Sequence, residues 1–334
     1  MRLEEFAYDL PEELIAQHPL PRRDQARLMV VNRARQSICH DVFASLPRYL
    51  PQQAHVILND TKVIPARLFG RRATGARVEI FLLKEHAEGL YEVLLKPLRK
   101  LKEGETLSIE GGTLTATLVD RARRLVRFNR KDARRYLRRL GHMPLPPYIT
   151  REDTAVDRSA YQTVFARRPG SVASPTAGLH FTRDLLERLR RHPCRLDRVT
   201  LHVNYGTFKP VEENDITRHV MHSEDYRVSA TVFKRLAQSR RLGRSVVAVG
   251  TTSCRVLETL ANGGELQGST SIFMYPGYVF KMTDILITNF HLPYSTLLML
   301  VYAFGGTALM KRAYQEAIQQ RYRFYSYGDG MVIL

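Results

Sequence analysis

Two textures of hydrophobic and polar positions divide the chain. Between about residues 63 and 149 the apolar positions come in short strand-like runs: Ala76–Leu83 (ARVEIFLL), Leu90–Leu95, Thr106–Ile109, Thr113–Val119 (TLTATLV) and Leu125–Phe128. Turns with glycine, such as Glu88-Gly89 and Glu103-Gly104, part most of them. Short strands at that spacing predict an antiparallel barrel or sandwich. Ile64-Pro65 marks the entry, and the prolines of Met143–Tyr148 (MPLPPY) predict a stiff, extended exit.

The flanks read differently. His55–Leu58 is a short apolar strand that ends in Asn59-Asp60-Thr61. Thr182 is placed to cap a helix over Arg183–Arg190, with Leu185, Leu186 and Leu189 on one face. Arg198–Val203 is a strand, Ala230–Arg241 a helix, and Ser245–Val249 a buried-type strand, followed by Gly250–Ser253 and a helix from Cys254 to Ala261. Asp284–Thr288, Thr296–Phe304 and Lys311–Gln320 continue the alternation. Strands alternating with helices predict an α/β domain, barrel-like or with an open, mostly parallel sheet. The expected organisation is therefore a discontinuous α/β domain over 1–62 and 150–334, with an inserted antiparallel β-barrel over 63–149.

Composition agrees with a folded chain of about two domains. It has 334 residues, of which 44% are hydrophobic. The three cysteines are far apart, which argues against a disulfide framework or a cysteine zinc site. The start, MRLEEFAYDL, lacks the apolar segment of a signal peptide. The longest apolar run, Leu297–Phe304, falls short of the roughly 20 residues a membrane span needs. A monomeric cytoplasmic protein without membrane contact is the expectation.

Charge changes the picture. Lys and Arg number 51 against 33 Asp and Glu, a formal net of +18. Such a field attracts polyanions, and nucleic acid is the first to consider. From Lys62 to Thr150 there are 20 basic and 9 acidic residues, so the inserted segment is the denser. Arg121–Arg139 holds ten basic residues and one acid. A helix over Lys131–Leu140 would set Arg134, Arg135, Arg138 and Arg139 on a polar side as a phosphate-contacting stripe.

Candidate chemistry is sparser. No GxGxxG, GxxxxGK[ST], GxSxG or HExxH occurs. Gly250–Ser253, after a strand and before a helix, offers backbone amides to a carboxylate or phosphate, with Arg255 beside it, or is an ordinary helix cap. His180 in PTAGLHFT can be a general acid or base, or a hydrogen-bonded structural residue. His291 in NFHLP has the same two readings. His219 and His222 have HxxH spacing without an evident third ligand, so no metal is expected. Tyr278 and Phe280, in YPGYVF, can hold a cation or a base, or simply fill a core.

Matching motifs through almost the whole chain make it resemble one family. They include Tyr8–Gln17 (YDLPEELIAQ), Leu58–Leu68 (LNDTKVIPARL), Gly141–Ile149, Gly170–Thr182 (GSVASPTAGLHFT), Gly206–Val211 (GTFKPV), Ala248–Ser253 (AVGTTS), Ile272–Phe280, Thr288–Leu300 (TNFHLPYSTLLML) and Phe324–Asp329 (FYSYGD). The sequence resembles the S-adenosylmethionine:tRNA ribosyltransferase-isomerases of the queuosine pathway. The resemblance implies transfer and isomerisation of the ribosyl part of S-adenosylmethionine onto 7-aminomethyl-7-deazaguanine at the tRNA wobble position. Epoxyqueuosine, adenine and methionine are the products. It implies S-adenosylmethionine as co-substrate with no permanently bound cofactor, and the tRNA anticodon arm as partner.

Mapped onto that chemistry, His180 is the first candidate for the base that removes the proton beside the sulfonium, and His291 the second. His222 is the candidate donor to adenine. Gly178, Gly250, Thr251, Thr252, Ser253 and Arg255 would hold the co-substrate, with Tyr278 and Phe280 against the sulfonium. Asn59 and Asp60 would read the deazaguanine. One departure is Asn204, where the family usually has glycine; a left-handed backbone there would suit Asn next best. Two readings compete: a non-catalytic RNA-binding module, and a metal-dependent hydrolase or nuclease using His219 and His222.

Overall fold

The computed structural model describes all residues except 110–111, 132, 205 and 207–210, and not the side chains of 133 and 134. Its strands are β1 (Arg27–Asn32), β2 (Ser37–Val42), β3 (His55–Asn59), β4 (Thr61–Val63), β5 (Arg67–Arg71), β6 (Arg77–Ala87), β7 (Leu90–Lys96), β8 (Thr106–Ile109), β9 (Thr115–Asp120) and β10 (Leu125–Phe128). After them come β11 (Arg168–Ser171), β12 (Arg195–Leu201), β13 (Glu224–Arg227), β14 (Val246–Val249), β15 (Gln267–Thr270), β16 (Ile285–Asn289) and β17 (Gly330–Ile333). The helices are α1 (Ala133–Leu140), α2 (Asp157–Ala160), α3 (Arg183–Arg191), α4 (Ala230–Arg241), α5 (Thr251–Ala261), α6 (Thr296–Gly305) and α7 (Thr307–Gln319).

Nine strands form one sheet in the order β15-β13-β12-β3-β14-β16-β17-β1-β2. Its centre, β12-β3-β14-β16, is parallel. The wings are largely antiparallel, and β17 lies antiparallel to β16 but parallel to β1. The sheet is thus open and mixed rather than mostly parallel. The reason is that β1, β2 and β17 come from the chain's two ends, whose pairing no local pattern announces.

Alternation explains how so apolar a sheet is buried on both faces. Ile57, Val246, Ala248, Leu286 and Met331 face one core, which α5, α6 and α7 complete. Val56, Val247, Val249, Ile287 and Val332 face the other, closed by Leu185, Leu186 and Leu189 of α3. The backbone amide of Leu185 donates to Thr182 Oγ1 at 3.1 Å, so the cap forms as its residue type requires.

Strands β5 to β10 close into a six-stranded barrel in the order β10-β7-β6-β5-β8-β9. Val78, Ile80, Val93, Leu107, Ala116 and Val126 fill it, and Leu137 of α1 packs on the same core. In the sequence the barrel lies between β3 and β12, which are neighbours in the nine-stranded sheet. Where the chain leaves for the barrel and returns, β4 and β11 pair in parallel.

Candidate active site

The carboxyl ends of β14 and β16 open into a cleft. Ligands of open α/β sheets bind at such strand ends. Each wall follows from local sequence. The run Val246–Val249 is wholly buried, and Gly250 then turns the chain at φ 86°, a conformation that suits glycine. Helix α5 starts at the next residue, so Thr251 and Thr252 present its first turn to the cleft. The equally buried Ile285–Asn289 delivers Thr288, Asn289 and His291 to the opposite wall. Ser174–Ala177 forms a third side.

Tyr148 and Tyr325 supply an aromatic wall, with ring centroids 4.6 Å apart. The hydroxyls of Tyr148 and Ser326 lie 2.6 Å apart. Three polar atoms of cleft-lining residues, Ser174 Oγ, Thr252 Oγ1 and Asn289 Oδ1, are buried and have no hydrogen-bond partner among the described residues. Leaving such a group unpaired costs about 1–3 kcal/mol, so this cleft is built to be completed by a polar ligand.

The two leading histidines differ in availability. His180 is buried behind Asn289, whose Nδ2 donates to His180 Nε2 at 3.1 Å. That bond occupies the lone pair a base would use. Asn289 Nδ2 also lies 3.1 Å from the Tyr325 carbonyl and 3.3 Å from that of Asp329, which locks the amide. His291 lines the cleft, and its Nε2 lies 2.7 Å from Thr288 Oγ1. Thr288 Oγ1 also lies 3.3 Å from the Asn289 carbonyl, which can take the hydroxyl proton and leave the oxygen to accept from His291 Nε2–H. In that tautomer the proton sits on Nε2 and the Nδ1 lone pair is left for a ligand. Burial lowers both imidazoles to about 3; for His180 the charges of Arg323 and Arg23 add to it.

Several expected site residues lie elsewhere. Arg255 is buried and turned to Glu224, with which it pairs, and its Nη2 donates to the Thr270 carbonyl at 3.1 Å. A buried arginine takes the nearest buried carboxylate, so it does not reach the cleft. Tyr278 and Phe280 pack by the far end of α5. The Tyr278 hydroxyl donates to Glu258 Oε2 at 3.3 Å, and Phe280 meets Phe304 edge-on at 4.8 Å. An 11-residue helix is about 16 Å long, which separates them from Gly250.

Gly178 serves close packing: a Cβ there would meet Phe165 and Thr163 at 2.8 Å. Ser253 is buried in α5 and does not line the cleft. Asn59 is consumed by backbone, its Nδ2 donating to the Leu201 carbonyl at 3.0 Å and its Oδ1 accepting from the amides of Thr61 and Leu201 at 3.1 Å. Asp60 Oδ1 accepts from Thr200 Oγ1 at 2.6 Å and lines a different depression. His222 is exposed, packs on Gly206, and is absent from the cleft wall. Asn204 does not adopt a positive φ; its Nδ2 instead donates to the Ser223 carbonyl at 3.0 Å. Arg135, Arg138 and Arg139 are exposed on α1, while the Arg134 side chain lies outside the described residues.

Residue-type reasoning passed over Thr288, Asn289, Tyr148, Tyr325 and Ser174. Thr288 and Asn289 close a wholly apolar strand, which was the available signal. The tyrosines gave none, because their pairing joins residues 177 apart in the chain.

The family model described as "Queuosine biosynthesis protein" matches residues 3–333. The chain belongs to that family. It is 47% identical over 336 residues to the S-adenosylmethionine:tRNA ribosyltransferase-isomerase of Sulfurihydrogenibium sp. (strain YO3AOP1), with all of both chains covered. The protein of the same name from Symbiobacterium thermophilum is 50% identical over 343 residues, again with both chains fully covered. Among solved structures, the S-adenosylmethionine tRNA ribosyltransferase of Thermotoga maritima is 38% identical, covers 99% of this chain with all of its own, and superposes with a TM-score of 0.57. The cleft wall and the family-matching blocks coincide: AVGTTS supplies Gly250–Thr252, TNFHLP supplies Thr288–Leu292, and FYSYGD supplies Tyr325 and Ser326.

Proposed function

We propose that this chain is an S-adenosylmethionine:tRNA ribosyltransferase-isomerase. It moves the ribosyl unit of S-adenosylmethionine to the 7-aminomethyl-7-deazaguanine of tRNA, isomerises it to the epoxycyclopentane of epoxyqueuosine, and releases adenine and methionine. The observation that carries this reading is full-length identity near half with proteins of that name, on a chain whose cleft needs a polar ligand. Residues 1–62 and 150–334 act as the catalytic α/β domain and 63–149 as the inserted barrel. The enzyme works as a monomer in the cytoplasm, and among the described residues no helix is long and apolar enough to cross a membrane.

His291 is the base. Its Nδ1 takes the proton from the carbon beside the sulfonium, and Thr288 holds the ring in the tautomer that permits this. A lowered imidazole basicity does not defeat the step. The proton leaves a cationic sulfonium and makes a cationic imidazolium, so the charge inside the dry cleft is conserved. Tyr148 and Tyr325 face the sulfonium or adenine, as aromatic faces attract cations and stack bases. The first turn of α5, with Thr252 Oγ1, takes the methionine carboxylate at the positive end of the helix. Asn289 Oδ1 accepts from a substrate hydroxyl or amine.

The test is turnover with S-adenosylmethionine and tRNA carrying the deazaguanine precursor. Release of both adenine and methionine is expected. Methyl transfer or RNA cleavage in its place would sink the reading.

A further inference from the structure

Beside the cleft the molecule has a second concave region that the ribosyl chemistry does not use. Two adjoining depressions share Arg167, Arg168, Thr200, Arg227 and Gln267. Arg190 and Arg198 line the first as well. All five arginines are exposed. Arg168 lies 4.0 Å from Asp60. No hydrogen bond or ion pair engages the guanidinium of Arg167, Arg190, Arg198 or Arg227 among the described residues.

The other acids of the groove have partners of their own. Asp197 accepts from Arg235 at 2.9 Å and contacts His55 at 3.0 Å, and Asp225 accepts from Ser269 at 2.5 Å. Four arginines therefore converge on one groove, with their charges left for something from outside. Guanidinium forks match phosphate oxygens two at a time.

The groove borders the cleft along the chain. His202 lines the groove and its neighbour Val203 lines the cleft. Arg167–Pro169 border the groove, and the chain then runs through β11 to Ala173 and Ser174 in the cleft wall. Arg168 to Ser174 spans at most about 20 Å of extended chain. A polymer that places one base in the cleft therefore has its neighbouring phosphates within reach of these arginines.

We infer that the groove lined by Arg167, Arg190, Arg198 and Arg227 binds the phosphate backbone of the RNA substrate next to the modified nucleotide. This inference rests on the proposed function. It is a contact surface on the nine-stranded sheet, separate from the basic helix α1 of the barrel. Its contacts fix register and carry no base specificity.

The experiment measures binding of unmodified tRNA transcript, and of its isolated anticodon arm, to the full chain and to the variant R167E/R198E/R227E across a salt series. The variant is expected to bind roughly tenfold more weakly at physiological salt, with a log–log salt slope shallower by about 2. In turnover its KM for tRNA should rise while its KM for S-adenosylmethionine stays put. The triple Arg→Gln variant should fall between it and the parent, which separates lost attraction from added repulsion. Unchanged affinity and slope in both variants, with melting temperatures like the parent's, would overturn the inference. So would a loss seen equally in the KM for S-adenosylmethionine. Failure of the parent itself to bind or turn over tRNA would speak against the proposed function, and it is read without any variant.

Discussion

The cleft at the ends of β14 and β16 and the groove along β12 share a strand end, yet they handle charge in opposite ways. The cleft buries its polar atoms, leaves Ser174 Oγ, Thr252 Oγ1 and Asn289 Oδ1 without a partner among the described residues, and keeps His291 neutral. The groove exposes arginines, four of which have no ion-pair partner among the described residues. Burial makes short-range hydrogen bonds valuable and charges costly, so a dry site selects a small, oriented substrate. Exposure makes charges cheap and screened, so a wet groove holds a polyanion through counterion release. The contrast teaches that the net charge of +18 describes how the partner arrives, not where the chemistry happens.

The sharpest way to break the comparison is at the two histidines. Substituting His291 by Ala should lower kcat by about 10²–10⁴-fold, the usual worth of a positioned base, and leave the salt slope of tRNA binding alone. Substituting His180 by Gln should cost far less. A near-normal kcat in the first and a collapse in the second would return the role to His180.

Next is the buried pair that took Arg255 away from the cleft. Arg255→Met removes the guanidinium that pairs with the buried Glu224 carboxylate, and urea denaturation should show a loss of about 3–5 kcal/mol. The folded fraction should keep a kcat close to the parent's. A selective loss of affinity for S-adenosylmethionine, with stability intact, would put Arg255 back in the site.

Thr252→Val tests the unpaired hydroxyls. It should raise the KM for S-adenosylmethionine roughly tenfold, while the free protein becomes up to about 1 kcal/mol more stable, because a buried unsatisfied group is gone. A drop in both binding and stability would mean that the hydroxyl has a structural partner.

The smallest effect is in pH. An imidazole lowered to about 3 stays neutral through the physiological range, so kcat/KM should be flat from about pH 8 to pH 5 as far as His291 is concerned. Stability moves the other way. As pH falls below about 6.5 the unfolded chain binds protons that buried His180 and His291 refuse, so the folded state loses ground progressively down to about pH 3. A rate that halves near pH 6.5 would indicate a solvated, unperturbed base.

Much of this organisation was legible in the chain. The short runs of 76–128 became barrel strands, the flanking runs became β3, β14, β16 and the helices after them, and TNFHLP and AVGTTS met in one cleft. Other parts were not. Tyr278 and Phe280 looked like a cation cage, but Glu258, twenty residues upstream, accepts from the Tyr278 hydroxyl and from the amides of Lys281, Met282 and Thr283 and pins that loop to α5. Asn59 looked like a base reader until β12 arrived beside it and took every polar atom. Strand β5 was passed over because Arg67–Arg71 mixes arginines with apolar residues.

By itself the sequence determined the family, the periodicities and hence the elements, and an excess of basic charge that asks for a polyanion. Those are properties of neighbours in the chain, which local geometry and composition decide. Tertiary structure alone decided which histidine keeps a free lone pair, where Arg255 spends its charge, and which arginines remain unpaired beside the cleft. Each of these depends on the partner that folding brings, from 31 residues away for Arg255 and from 109 for His180, or on the water it removes. Asn289 occupying His180 across 109 residues is the clearest instance.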